Sequence, residues 1–216
     1  MITRMLKLKT TEREPTNHSD PDPNSDPEAS TVEKTNGMTG IDLGNGSQVL
    51  YTSKFLSYQD SWDYFHYLDK NIPWTRPTVR VFGRSCIQVH KALPGSKFNS
   101  LLLNRYKGGN DHVGWHADDE KLYGLTPEIA SVSFGCERDF FLKKKPSKTV
   151  HAKENGGDPP GKRTKKNNDS DQRSFVLKHG SLLVMRGYTQ RDWVHSVPKR
   201  VKAAAVRINL TFRLIC

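Results

Sequence analysis

The sequence predicts a mostly β domain with one flanking helix (an α+β protein), built as an antiparallel sandwich or jelly roll. Six short segments in which apolar and polar side chains alternate follow one another at residues 98–106, 129–134, 139–143, 174–178, 181–186 and 206–214. One helical pattern precedes them instead of alternating with them, which disfavours a parallel doubly wound sheet. A chain of 216 residues suffices for one domain with additional tails or loops.

The flanking helix is predicted to begin at Tyr58. Tyr58, Trp62 and Phe65 recur at helical spacing, Ser57 is a suitable N-cap, and Pro73 ends the pattern. We expect this aromatic stripe to pack on the core and not to bind a cofactor.

Two polar stretches accompany the predicted domain. Residues 1–46 are rich in Asp, Pro, Ser, Thr and Asn, with five basic and eight acidic residues, and are predicted to be a disordered tail before a domain over 47–216. Residues 143–173 carry ten basic and four acidic residues and are predicted to be a basic disordered insertion within a hairpin. This insertion is open to three interpretations: an inert solvated loop, a nuclear-import signal, or an arm that binds phosphates.

Charge and cysteine content limit the class of protein. The formal net charge of +11 favours an anionic partner, either nucleic acid or an acidic membrane surface. No apolar run reaches the roughly 18 residues of a membrane span, so we expect a soluble protein. Three cysteines, Cys86, Cys136 and Cys216, lack CxxC spacing and favour free thiols in a reducing compartment.

A metal site is predicted from two histidines and one aspartate. His116 and Asp118 stand two positions apart, so on a strand they project from one face, and His195 is expected on a neighbouring strand. Two imidazoles and one carboxylate form the facial triad of non-haem Fe(II) enzymes. This spacing alone is a weak signal.

The segment at residues 206–214 strengthens the prediction. Its polar residues share one face and its apolar residues share the other: Arg207, Asn209, Thr211 and Arg213 against Ile208, Leu210, Phe212 and Leu214. Two arginines flanking an asparagine are suited to hold carboxylates by forked hydrogen bonds. The alternative is a strand whose polar face is solvated.

Four features together resemble the AlkB family of nucleic-acid demethylases: Asn104-Arg105-Tyr106, His116-Ala117-Asp118, His195, and the strand from Arg207 to Arg213. The combination is highly specific, and the similarity covers most of residues 98–214. The chain resembles the DNA-repair branch, because Asp119 and Glu120 follow Asp118 and because Val81-Phe82-Gly83 is similar to the base-displacing hairpin of that branch.

The resemblance implies a double-stranded β-helix (jelly-roll) core that uses Fe(II) and the cosubstrate 2-oxoglutarate. His116, Asp118 and His195 would hold the metal, and Arg207 would pair with the distal carboxylate of 2-oxoglutarate. The remaining cosubstrate residues would be Asn104, Tyr106, Asn209 and Arg213. The implied reaction consumes O2, yields succinate and CO2, and hydroxylates an N-methyl group, which leaves as formaldehyde.

The resemblance also implies a substrate and its contacts. The substrate would be DNA with bases such as 1-methyladenine or 3-methylcytosine, and the protein would be a nuclear monomer. The expected substrate-binding residues are Asp119, Glu120, Phe82 and Arg105. The two carboxylates would stabilise the positive charge of a methylated base, and Phe82 would fill the gap that a flipped base leaves. An acidic turn and a core strand residue are the respective alternatives.

The chain departs from the family before the Asn-Arg-Tyr strand. Relatives carry a Pro-Arg motif, a Tyr-Gly lid and a helix there, whereas Cys86-Ile87-Gln88 here runs almost directly into His90-Lys91-Ala92. We therefore expect impaired activity. The alternative functions are the same chemistry on RNA, or a lid-less form that binds nucleic acid with little or no turnover. A structural zinc site is disfavoured because such sites use four Cys or His ligands.

Overall fold

Two antiparallel sheets form the core of the computed structural model, which describes residues 2–7, 34–35, 37–74, 89, 91–146 and 172–216. The larger sheet has the strand order β1-β5-β12-β7-β10-β4-β3-β2. Its strands are β1 (Ile2–Lys7), β2 (Lys34–Thr35), β3 (Met38–Gly44), β4 (Ser47–Thr52), β5 (Ser100–Tyr106), β7 (Ile129–Gly135), β10 (Ser181–Gly187) and β12 (Arg207–Arg213). The smaller sheet has the order β6-β11-β8-β9, with β6 (Val113–His116), β8 (Arg138–Lys144), β9 (Gln172–Leu177) and β11 (Trp193–Val197).

The two faces of the larger sheet are both covered. One face packs on the smaller sheet through a cluster that includes Tyr106, Phe140 and Trp193. The other face carries a second cluster, which includes Leu103, Ile208 and residues of the segment before β5. Because both faces are covered, all seven residues of β12 are buried. This arrangement confirms the predicted jelly-roll architecture.

Helix α1 (Tyr58–Asn71) covers the second face and begins at Tyr58, as the sequence predicted. The Ser57 hydroxyl accepts a hydrogen bond from the Asp60 backbone N–H, which satisfies one free donor of the first turn. Phe65 packs against the core, and the Trp62 ring lies 4.3 Å from the ring of His179. Tyr58 is 76% exposed, so the predicted core role is wrong for this first aromatic residue.

The predicted boundaries of the two polar stretches need correction. Strand β3 lies within residues 1–46 and pairs with β4 along most of its length, so the prediction of a disordered tail is wrong for Met38–Gly44. Strand β1 also lies within that stretch and pairs with β5. In the basic insertion, Lys143 of β8 pairs with Gln172 of β9. Both residues lie within the range 143–173, so the prediction of disorder is wrong at the two ends of this range. Residues 147–171 lie outside the described residues.

The six predicted strands correspond to β5, β7, β8, β9, β10 and β12. The prediction did not identify β4, β6 and β11, which have four to six residues each. In the described part of the chain, no helix is long and apolar enough to span a membrane. Cys136 and Cys216 are free thiols, and Cys86 lies outside the described residues.

Candidate metal centre

The two histidines of the predicted triad come from paired neighbouring strands. His116 is the last residue of β6, His195 is the third residue of β11, and the two lie directly opposite each other in the pairing of these strands. Asp118 lies two residues beyond the end of β6, so it is not a strand residue as the sequence suggested. The three side chains nevertheless converge, with one ligand atom from each within 4.8 Å of the others.

The donor atoms fit a divalent metal ion. His116 Nδ1 lies 2.9 Å from the Gly114 carbonyl oxygen, to which a protonated Nδ1 donates, and this tautomer leaves Nε2 free to bind a metal. His195 Nε2 lies 3.8 Å from Asp118 Oδ2. Two imidazoles and a carboxylate form the donor set that leaves open positions on non-haem iron.

The electrostatic environment prepares His195 as a ligand. Burial lowers its pKa to about 3, and the neighbouring His116 adds to this shift. The imidazole is therefore neutral near pH 7, as a metal ligand must be. Asp118 keeps its charge balanced by Arg213, whose Nη2 donates to Asp118 Oδ1 at 2.8 Å within the protein interior. Arg213 thus lies at the metal end of the site.

The polar face of β12 forms one wall of a cavity of about 330 Å³ beside this triad. The predicted cosubstrate residues all line it: Asn104, Tyr106, Arg207, Asn209 and Arg213. The alternative of a solvated polar face is therefore wrong. Thr211 completes the wall, and its hydroxyl accepts a hydrogen bond from Asn209 Nδ2 at 2.8 Å.

Arg207 retains donors for a ligand. Its Nη2 donates to Asn209 Oδ1 at 2.9 Å and to the Ser133 hydroxyl at 3.0 Å. Its Nε and Nη1 are buried and have no hydrogen-bond partner among the described residues. Burial lowers the Arg207 pKa, although a guanidinium remains charged at neutral pH. A buried cation with free donors is suited to a carboxylate ligand, which fits the distal end of 2-oxoglutarate.

Several contributing residues were not identified from the sequence. Ser131 and Ser133 on β7 donate to Asn209 Oδ1, and their alternation with Val132 and Phe134 is a signal that could have indicated them. Gln190, in the short helix α2 (Thr189–Asp192), accepts the Asp118 backbone N–H at 2.9 Å. No sequence pattern indicates this contact, because the two residues are 72 positions apart.

The predicted substrate residues are placed differently from one another. Both acidic residues are exposed, but Glu120 lines the cavity, whereas Asp119 does not and its carboxylate pairs with Lys145 Nζ at 3.0 Å. Arg105 does not line the cavity and pairs with Asp69 of α1 at 2.6 Å, so the structure gives its predicted role at the substrate site no support and that role stays a prediction. Successive residues of a strand face opposite sides, and Arg105 lies between the cavity residues Asn104 and Tyr106. Phe82 lies outside the described residues.

Comparison with known proteins gives a family match and close relatives. The model of the 2OG-Fe(II) oxygenase superfamily matches residues 84–213. The chain is 55% identical over 215 aligned positions to "DNA oxidative demethylase ALKBH2" of Arabidopsis thaliana, covering 81% of this chain and 68% of that protein. It is 45% identical over 121 positions to human "Alpha-ketoglutarate-dependent dioxygenase alkB homolog 3", covering 56% of this chain and 38% of that protein.

Bovine "DNA oxidative demethylase ALKBH2" is 41% identical over 143 positions, covering 66% of this chain and 45% of that protein. The chain thus spans about two thirds of the plant relative and less than half of these two animal relatives. The plant alignment has 215 positions, whereas 81% of 216 residues is about 175, so about 40 aligned positions have no residue of this chain.

Proposed function

Because this chain belongs to the 2OG-Fe(II) oxygenase superfamily, we propose that it is an oxidative demethylase of N-alkylated bases in DNA. The observation that carries the proposal is the meeting of the triad His116, Asp118 and His195 with the polar face of β12 at one cavity. Relatives named as DNA oxidative demethylases support DNA as the substrate.

The residues around the cavity have different roles in the reaction. When bound, Fe(II) and 2-oxoglutarate supply the oxidising chemistry that converts O2, cosubstrate and an N-methyl group into CO2, succinate and formaldehyde. His116, Asp118 and His195 hold the metal, and Arg207 binds the distal carboxylate. Asn209 orients Arg207, because its side-chain oxygen accepts the Arg207 Nη2 hydrogen bond. Arg213 restrains the carboxylate of Asp118.

The substrate side of the proposal rests on charge. Glu120, at the cavity, stabilises the positive charge of bases such as 1-methyladenine and 3-methylcytosine. The target base leaves the stack to reach the metal, and a damaged base pair costs less to open. The basic residues between 143 and 173 bind DNA phosphates. We place the protein in the nucleus as a monomer.

The test of this function is product formation with defined oligonucleotides. The purified chain is incubated with Fe(II), 2-oxoglutarate and DNA containing 1-methyladenine or 3-methylcytosine, and formaldehyde and repaired base are quantified. We expect His116→Ala, Asp118→Ala and His195→Ala to abolish turnover while DNA affinity persists, because phosphate contacts dominate affinity. His112→Ala is the matched control, since His112 is an exposed histidine between β5 and β6.

Three results would contradict the proposal. Full turnover by any of the three ligand variants would remove that residue from the metal site. Formaldehyde release from methylated RNA, with none from methylated DNA under the same conditions, would assign the chemistry to RNA. A chain that binds DNA without producing formaldehyde or succinate would be a binding protein.

A further inference from the structure

Arg138 is a fully buried arginine that the roles above do not use. It is the first residue of β8, its exposure is 0%, and it points to the same side of the strand as Phe140, which lines the cavity. Its Nη2 donates to the backbone carbonyls of Gly108 and Asp111 at 2.7 and 2.9 Å. Its Nε and Nη1 are buried and have no hydrogen-bond partner among the described residues.

Arg138 and Arg207 both lie near the ring of Tyr106. The guanidinium carbon of Arg138 lies 5.5 Å from the centroid of the Tyr106 ring, and that of Arg207 lies 4.8 Å from the same centroid. The two guanidinium carbons are therefore at most about 10 Å apart, the sum of these distances. Burial lowers the pKa of Arg207, and the positive charge of Arg138 lowers it further.

No carboxylate in the described part of the chain forms an ion pair with either arginine. Asp118 is the buried acidic side chain of the cavity wall, and it is already paired with Arg213 at the metal end. Two buried cations without a counter-anion are costly, and each also holds unused donors. A ligand that brings a carboxylate to this end of the cavity offsets the cost for both.

We propose that Arg138 is a positioning residue of the cosubstrate site. Together with Arg207, it places two positive charges at the end of the cavity that receives the distal carboxylate of 2-oxoglutarate. Arg138 is not part of the cavity wall, so its charge attracts the distal carboxylate through space. Its guanidinium also lies against the ring of Tyr106 and holds that ring in place. It also holds the loop between β5 and β6, and so fixes Tyr106 relative to His116. The inference rests on the cosubstrate of the family and is independent of which base is demethylated.

The test compares two ligands that differ only in distal charge. 2-Oxoglutarate and 2-oxoglutaramate, in which a neutral carboxamide replaces the distal carboxylate, are titrated into the Mn(II)-loaded full chain by calorimetry. Arg138→Met is expected to weaken 2-oxoglutarate binding by about tenfold more than it weakens 2-oxoglutaramate binding. Arg138→Lys, which keeps the charge, is expected to restore most of the preference. Arg200→Met is the matched control, because Arg200 pairs with Glu137 beside Arg138 and is more exposed.

Equal weakening of both ligands in Arg138→Met, or an unchanged affinity for 2-oxoglutarate, would overturn the proposal, since either result means a purely structural role. If Arg138→Met does not fold, Arg207→Met decides: a retained preference for 2-oxoglutarate over 2-oxoglutaramate supports a second cation, and a lost preference overturns it. No nucleic acid is present, so a negative result leaves the proposed demethylation to its own test.

Discussion

At the scale of single residues, the Arg207 guanidinium is the group most directly matched to the cosubstrate. We predict that Arg207→Lys weakens 2-oxoglutarate binding by about 10- to 100-fold, because lysine is a point charge that cannot both donate to Asn209 and Ser133 and receive a carboxylate. Calorimetric titration of the Mn(II)-loaded protein measures the change. Arg186→Lys, outside the cavity, is the control, and an unchanged dissociation constant for Arg207→Lys would contradict the assignment.

Gln190 positions the metal ligand Asp118 through its backbone. The Gln190 side-chain oxygen accepts the Asp118 N–H, and its nitrogen lies 3.2 Å from Met185 Sδ in the interior. We predict that Gln190→Leu lowers metal affinity by about 10- to 100-fold, as expected for partners that orient metal ligands. Competition for Mn(II), followed by electron paramagnetic resonance, checks this prediction. Gln59→Leu on the exposed face of α1 should have no effect, and equal affinities in all three proteins would refute it.

At the scale of elements, His179 joins the β9–β10 turn to the end of β7 beneath α1. Its Nδ1 accepts a hydrogen bond from the Gly135 backbone N–H at 2.8 Å, and Trp62 of α1 packs on its ring. Gly135, the last residue of β7, has a φ of +80°, and a Cβ there would collide with the Val206 carbonyl oxygen. The end of β7 therefore requires glycine at this position. Because His179 Nδ1 can accept the Gly135 N–H only when it carries no proton, the link between the β9–β10 turn and the end of β7 depends on a neutral His179.

This dependence predicts a loss of stability in acid. Burial lowers the pKa of His179 in the folded state, so below its ordinary value of 6.5 the unfolded chain binds a proton that the folded chain does not. Stability should therefore fall as the pH drops from 7.5 to 5.5. Thermal unfolding of His179→Asn, which keeps an acceptor but cannot titrate, should show a smaller fall. His66→Asn is the control on α1, and identical slopes for His179→Asn and the parent chain would contradict the role.

At the scale of the whole molecule, the segment that the family resemblance implies before β5, and that we expect this chain to lack, bears on catalysis. The alignment with the plant relative contains about 40 positions without a residue of this chain, and we expect them to lie before β5. The triad and the polar face of β12 are both present, so metal and cosubstrate should bind. Because we expect this chain to lack the lid, a methyl group near the metal should be held poorly and oxidised inefficiently.

We therefore predict uncoupled turnover, with more succinate than formaldehyde. Both products are quantified in the same reaction with methylated DNA, and the Arabidopsis thaliana relative serves as the coupled reference. Insertion of its extra segment between Gln88 and Leu93 should bring the ratio toward one. A ratio near one in this chain, at the rate of the relative, would be incompatible with the prediction, which rests on the proposed function.

Features that depend on local periodicity could be predicted from the sequence. The alternation in β12 identified both its apolar face and the polar residues Arg207 and Arg213, because a two-residue period assigns faces without knowledge of neighbours. The cap at Ser57 was likewise predictable, since its hydrogen bond spans three residues. Strand β3 was missed because its polar and glycine-containing sequence reads as a tail until β4 pairs with it.

Contacts between distant segments depend on how the sheets pack. The pairing of Arg105 with Asp69, the support of Asp118 by Gln190, and the burial of Arg138 behind Tyr106 each join residues that no periodic pattern relates. The residues of the metal centre were readable because their types and order carry the family resemblance. The neutral imidazole of His195 and the free donors of Arg207 follow instead from burial, which arises only when the chain has folded and water has been excluded.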